Sequence, residues 1–518
     1  MLVKILITLI FMSLIVVVGI FSRKQANSVD GFVLGGRSVG PWLSAFSYGT
    51  SYFSAVVFVG YAGQFGWKYG IASSWIGVGN AIIGSLLAWL ILGQRTKLMT
   101  QHLNSRTMPD FFGTRYANQG LRIAASIIAF VFLIPYTAGV YSGLSKLFDM
   151  GFGIPYEYCI IVMALLTSVY VILGGYKATA INDFIQGLIM LGGIIAVICV
   201  ILNSQSGLVE AFQKMKEVVP TAHDLKSSLY QNFQPGDFAS WFGPNAMSLL
   251  GVVVLTSLGT WGLPQMVGKF YSITDQSAIK RGTIISTIFA LVVAGGCYFL
   301  GGFGRLFNEP AWNDAKNSYK YDDIIPSMLE TAVNSDLLIG LVMVLVLSAS
   351  MSTLAALVLT SSSTMTLDLI YRDKRADADE VKEGEIDEDV AIKKERRKVV
   401  VMRVLIVFFI TISVLIALNP PTLIAQLMGI SWGALAGAFL APFLLGLYWR
   451  GVTASSVWAC FIWGVGFTVV NMILGNPINP IDCGAIAMVG GFPVVILVSL
   501  VTKKLPKAKL DSVWKCYK

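Results

Sequence analysis

The sequence predicts an all-α, polytopic membrane protein, and three observations carry that prediction. Apolar runs long enough to cross a bilayer recur along the whole of the 518 residues. Charged residues make up only 13% of the chain against 55% hydrophobic, where a soluble domain is about a quarter charged. The basic residues that give the net charge of +9 fall in short connections between the apolar runs, which argues against a nucleic-acid surface. The six Cys are scattered without a CxxC pair, and His102 and His223 both stand in connections. This spacing predicts no disulfide, no His- or Cys-ligated metal and no bound cofactor.

Taken in order, thirteen apolar runs are expected, at 2–21, 42–66, 71–93, 121–149, 154–174, 180–203, 241–271, 281–306, 336–368, 400–418, 422–448, 454–475 and 482–502. The first follows Lys4 and has no small-residue cleavage site of the A-x-A kind, so it reads as a retained helix rather than a leader. The second, PWLSAFSYGTSYFSAVVFVGYAG, is small and polar from Ser47 to Ser54 with Gly49 inside. The sixth carries Asp183 near its start, flanked by Asn182 and Gln186. The seventh contains LTSLGTWGLPQMVGKF, with Gly259, Gly262 and Pro264 close together. Proline removes a helical hydrogen bond and clashes with the preceding turn. The ninth contains LVLSASMSTLAALVLTSSSTMTLDLIY, apolar enough to span yet dense in Ser and Thr.

An odd number of spans puts the termini on opposite sides. Alternate connections then hold 29 Lys and Arg on one side and nine on the other, the whole complement of 38. The richer side is cytoplasmic by the positive-inside rule, which places the N-terminus outside and the C-terminus in the cytoplasm. Segments 204–240 and 307–335 become outer loops expected to contain short amphipathic helices. The segment 372–398, with ADADEVKEGEIDEDV and KKERRK, reads as a charged, solvated cytoplasmic connector.

Freed backbone groups at membrane depth survive only where protein or a cavity satisfies them. Two interrupted helices, each opening a block of five spans, point to an inverted-repeat transporter. The expected organisation is an extra helix (1–21), a first repeat (42–203), an outer loop (204–240), a second repeat (241–448), two further helices (454–502) and a tail (503–518). An unwound turn exposes carbonyls that replace the water shell of a cation, and hydroxyls are hard ligands of the same kind. The bland alternative is that Ser and Thr let helices pack closely. Asp183 is a functional candidate because a carboxylate at a helix centre costs about 2.5–3.5 kcal/mol on insertion scales. Its alternative reading is a carboxylate favoured by a helix N-terminus.

Four stretches, FVLGGRSVGPW, GGYKATAINDFIQG, GLPQMVGKF and SASMSTLAALVLTSSSTMTLDLIY, resemble motifs of the sodium/solute symporter family. That group includes bacterial sodium/proline and sodium/pantothenate symporters and the animal sodium/glucose cotransporters. The resemblance covers nearly the whole chain from Phe32. It implies a five-plus-five inverted repeat with discontinuous first and sixth core helices. It also implies a Na⁺ site formed by the carbonyls of Thr50, Phe53 and Ala349 and the hydroxyls of Ser352 and Thr353. Asp183, with Gln186 beside it, matches a residue that serves a second Na⁺ in some members, although Ala349 lacks one of the accompanying hydroxyls. Arg37 matches an arginine close to the Na⁺ path.

The resemblance implies import of a small organic solute: an amino acid such as proline, or a carboxylate such as pantothenate or a monocarboxylate. Tyr52 stands where proline carriers have an acidic residue, and Tyr52, Tyr136, Trp261 and Gln265 are the expected cavity residues. The expected setting is a bacterial-type cell membrane, with a single chain as the working unit. A Na⁺-independent uniporter or channel is the competing reading, but no filter repeat or continuous polar stripe is present. An ATP-driven pump or enzyme would need a motif such as GxxxxGK[ST], which this sequence lacks.

Overall fold

The computed structural model describes residues 2–314, 318–333, 335–371 and 388–517. Within them the chain is almost entirely helical, apart from one antiparallel pair of two-residue strands, Trp312–Asn313 and Ser318–Tyr319. Ten helical runs among the described residues are long and apolar enough to cross a membrane. An eleventh is the bent pair Ala246–Trp261 and Pro264–Tyr271, which meet at 41°. Burial ranks them. Ile424–Tyr448 is 89% buried over its most apolar window and Asp336–Ile370 is 78% buried, against 28% for Val3–Ser22 and 33% for Ile392–Leu418. The first two form the centre of the bundle, and the last two present apolar faces such as Leu6, Ile10, Val404 and Leu415 outward, as lipid-facing helices do.

Two runs are too long for one crossing. Val56–His102 has 47 residues and Tyr156–Ser204 has 49, each about 70 Å at 1.5 Å per residue against a hydrocarbon core of about 30 Å. Each contains a glycine in a conformation closed to other residues: Gly70 at φ 59, ψ −138 and Gly175 at φ 55, ψ −154.

The two expected helix breaks are present and have different causes. Helix Pro41–Tyr52 ends where Phe53 turns extended at φ −95, ψ 120. Ser54 starts the next stretch, its hydroxyl accepting from Val56 N and its carbonyl from Val57 N and Phe58 N. The second break is proline-driven. Leu263 is extended at φ −86, ψ 124 and Pro264 opens the following helix. The approaches to the two broken helices also pair: Val39 N donates to Ser272 O and Thr274 N to Val39 O.

Close crossings rely on small residues. A Cβ on Gly66 would overlap the carbonyl of Gly301, and one on Gly301 would overlap that of Ala62. Segments 204–240 and 307–335 hold short helices at Leu208–Glu217 and Ile324–Ala332. The second part of the charged connector expected over 372–398 is helical, with Lys393, Lys394, Arg396 and Arg397 exposed. Helix Glu388–Leu418 begins well before the apolar run, and within its charged part Lys398 pairs with Glu395 at 3.3 Å. Residues 372–387 lie outside the described residues.

Candidate functional site

The break after Tyr52 faces the Ser- and Thr-rich helix Asp336–Thr364. Helix Pro41–Tyr52 stops at Phe53, whose N–H donates to the Gly49 carbonyl, so the carbonyls of Thr50 and Ser51 have no N–H partner one turn on. They point at Ser352 and Thr353, which share a face with Ala349 by their i, i+3, i+4 spacing. Thr353 Oγ1 lies 3.4 Å from Thr50 O, 3.3 Å from Ser51 O, 3.2 Å from Phe53 O and 3.2 Å from Ala349 O. Ser352 Oγ lies 3.0 Å from each of Thr50 O, Ser348 O and Ala349 O. Thr50, Ser352 and Thr353 are fully buried, and Phe53 and Ala349 nearly so. A hydroxyl has one proton to give, so five carbonyls share two protons. This all-oxygen cluster, with no soft or nitrogen ligand, matches the preference of a small hard cation. All five residues of the expected Na⁺ site are brought together, and the carbonyl of Ser51 joins them.

Asp183, on helix Tyr156–Ser204, faces Ser47, which lies one turn before Thr50 and Ser51 on the broken helix. Its Oδ2 accepts from Ser47 Oγ at 2.5 Å, and Ser47 Oγ in turn accepts from Lys269 Nζ at 2.7 Å. The ammonium and carboxylate are 3.6 Å apart, with the ring of Tyr176 5.2 Å from Nζ. Asp183 and Ser47 are fully buried and Lys269 is 3% exposed. Gln186, one turn beyond Asp183, is buried with neither carboxamide atom hydrogen-bonded.

Arg37 stands outside this cluster, half-buried. It donates to Ser105 O at 2.8 Å and to Tyr271 O at 3.4 Å, linking the approach to the first broken helix with the end of the second. Nearby, Asp368 takes Arg122 at 2.8 Å and the Thr107 hydroxyl at 2.6 Å.

The four expected cavity residues divide. Tyr52 and Tyr136 meet at Trp432, with ring centroids 6.0 Å and 5.9 Å from it. Trp432 packs on Gly259, where a Cβ would come within 2.5 Å of the indole. Trp432 Nε1 and the Tyr136 hydroxyl are buried without a hydrogen-bond partner. The Tyr52 hydroxyl donates to Thr256 O at 3.0 Å. Trp261 instead donates to Ile83 O at 3.0 Å. Gln265 lines a separate cavity of about 40 Å³ with Lys269, Tyr176, Thr107 and Thr360.

Sequence reasoning missed Lys269, Ser47 and Trp432. Lys269 stood in view inside GLPQMVGKF, and a lysine at the end of an apolar run opposite a lone Asp183 was the signal for an ion pair. Trp432 carried no signal, since an aromatic among small residues looks like packing.

The profile of the "Sodium:solute symporter family" matches residues 32–464. Sodium/proline symporters of Staphylococcus aureus strains JH9 and COL are each 27% identical over 506 residues, covering 96% of this chain and 92% of the relative. Among solved structures, a Na⁺-coupled sialic acid symporter in a substrate-bound outward-open state superposes with a TM-score of 0.75 at 17% identity, over 97% of this chain and 99% of the other. A nucleobase-cation-symport-1 family transporter in a closed conformation gives 0.51 at 14% identity, over 94% and 98%. The two structures share the fold. The chain belongs to the sodium:solute symporter family, and is a multi-pass membrane transport protein of that class.

Proposed function

We propose that this protein is a Na⁺-coupled symporter that imports a small organic solute by alternating access. The convergence of Ser352 and Thr353 on the carbonyls freed at the first helix break carries the reading. Na⁺ there takes Thr50, Ser51, Phe53 and Ala349 through carbonyls and Ser352 and Thr353 through hydroxyls. It bridges the broken helix to the hydroxyl-rich helix, favours one conformation and shapes the solute site beside it. Inward movement of one positive charge gains about 2.3 kcal/mol per 100 mV, beyond any concentration term.

In this reading each overlong run divides at its glycine, giving thirteen spans with the N-terminus outside and the C-terminus in the cytoplasm. Residues 42–203 and 241–448 are the two inverted repeats, and they rock about the site. Asp183 and Arg37 line the Na⁺ path toward the cytoplasm. One chain holds a complete site, so the working unit is the monomer, in a cell membrane of bacterial type.

The solute binds against Tyr52, Tyr136 and Trp432, whose buried hydroxyl and indole N–H supply donors for a carboxylate. A proline-like amino acid and a monocarboxylate both fit that chemistry, and the proline relatives favour the first. The test is uptake of labelled proline, pantothenate and pyruvate into proteoliposomes with and without an inward Na⁺ gradient. Gradient-dependent accumulation of one of them is expected. Equal uptake under Na⁺ and K⁺ would instead support a uniporter.

A further inference from the structure

Asp183 has a charge to neutralise inside the bundle, and the structure supplies a cation for it that is part of the chain. Lys269 rises from the second broken helix and gives an N–H to Ser47 at 2.7 Å. Ser47 in turn donates its hydroxyl to Asp183 Oδ2 at 2.5 Å, and the ammonium is 3.6 Å from that oxygen. The three side chains are each at least 97% buried. They come from three different helices: Pro41–Tyr52, Tyr156–Ser204 and Pro264–Tyr271. The face of Tyr176 closes the far side of the ammonium.

A buried carboxylate is compensated once by one positive charge. A Na⁺ placed on Asp183 would sit within a few ångströms of a fixed ammonium, where like charges in a poorly solvated interior repel strongly.

We propose that the Lys269 ammonium is a tethered cation that takes the place of a second Na⁺ beside Asp183, so that the carrier moves one Na⁺ per solute. This rests on the symport reading above. Lys269 travels with the second broken helix and stays in the protein through the cycle, so it balances Asp183 without contributing to the transported charge. It is a specificity-determining residue for ion stoichiometry, acting through the electrostatics of Asp183 rather than by touching the solute.

The test uses full-length protein in proteoliposomes at clamped voltage, with ²²Na⁺ and labelled solute fluxes measured together. Wild type is expected to give a flux ratio of one and a Hill coefficient for Na⁺ of one. Lys269→Arg keeps both values. Lys269→Met leaves Asp183 uncompensated, and the Hill coefficient rises toward two. Asp183→Asn in the Lys269→Met background returns it to one. A wild-type ratio of two would overturn the proposal, as would a Lys269→Met protein that transports with a Hill coefficient of one. Should Lys269→Met not fold, the wild-type ratio decides, one supporting and two overturning. Wild-type uptake with no Na⁺ dependence would remove the symport reading itself and this inference with it, an outcome distinct from a ratio of two.

Discussion

Thr353 has one proton and four carbonyl oxygens within 3.4 Å of its hydroxyl. Protein interiors satisfy buried polar groups, so such a surplus of acceptors is best explained by a cation that occupies the cluster during part of the cycle. Thr353→Ala is expected to raise the Na⁺ concentration for half-maximal uptake about tenfold, equivalent to about 1.4 kcal/mol of lost binding. Ser352→Ala should do the same to a smaller degree, because Ser352 faces fewer of the freed carbonyls. A Na⁺ titration of uptake by both variants checks this. Tyr136 offers a complementary test, since its buried hydroxyl has at most a weak contact with Ser54 and its removal costs the fold little. Tyr136→Phe should leave thermal stability unchanged and raise the KM for the solute about three- to tenfold, as read by melting and initial-rate uptake. The five residues of the proposed cation site were named from their spacing and the family motif, and the fold brings them together. Trp432 was not legible, because burial and a missing partner are properties of the folded neighbourhood.

At the scale of elements, breaks and close crossings position these residues. Pro264 announced the second break, and the small polar stretch Ser47 to Ser54 announced the first. The pairing of Val39 with Ser272 and Thr274 was invisible, since backbone hydrogen bonds between distant connections leave no side-chain pattern. The glycine crossing is likewise a matter of three-dimensional approach. The first broken helix meets Gln276–Gly301 so closely that a Cβ on Gly66 has no room beside the Gly301 carbonyl, whereas a Cβ on Gly268 meets nothing within 4 Å. Gly66→Val should therefore lower the melting temperature by several degrees or more and cut the monodisperse yield, because backbone must move to admit it. Gly268→Ala should behave as wild type. Fluorescence-detected size exclusion with a thermal ramp distinguishes them, and equal behaviour of the two would show that the helices do not cross in this way.

For the whole molecule, composition and charge placement carried most of the fold. Apolar runs gave the helices, and the asymmetry of 29 against nine basic residues gave an orientation. A reporter that fluoresces only in the cytoplasm should be bright when fused after Lys518 and dark when fused before Met1, and the reverse pattern would invert the assignment. The charged connector was legible as polar but not as helical from Glu388. The central claim is that the first helix break and the hydroxyl-rich helix together hold Na⁺. The most direct test is equilibrium binding of ²²Na⁺ to the purified protein, wild type against a Ser352→Ala, Thr353→Ala double variant, with K⁺ as competitor. Saturable binding to wild type that K⁺ does not displace, and its loss in the double variant, is the predicted result. Undiminished ²²Na⁺ binding by a folded double variant would contradict it.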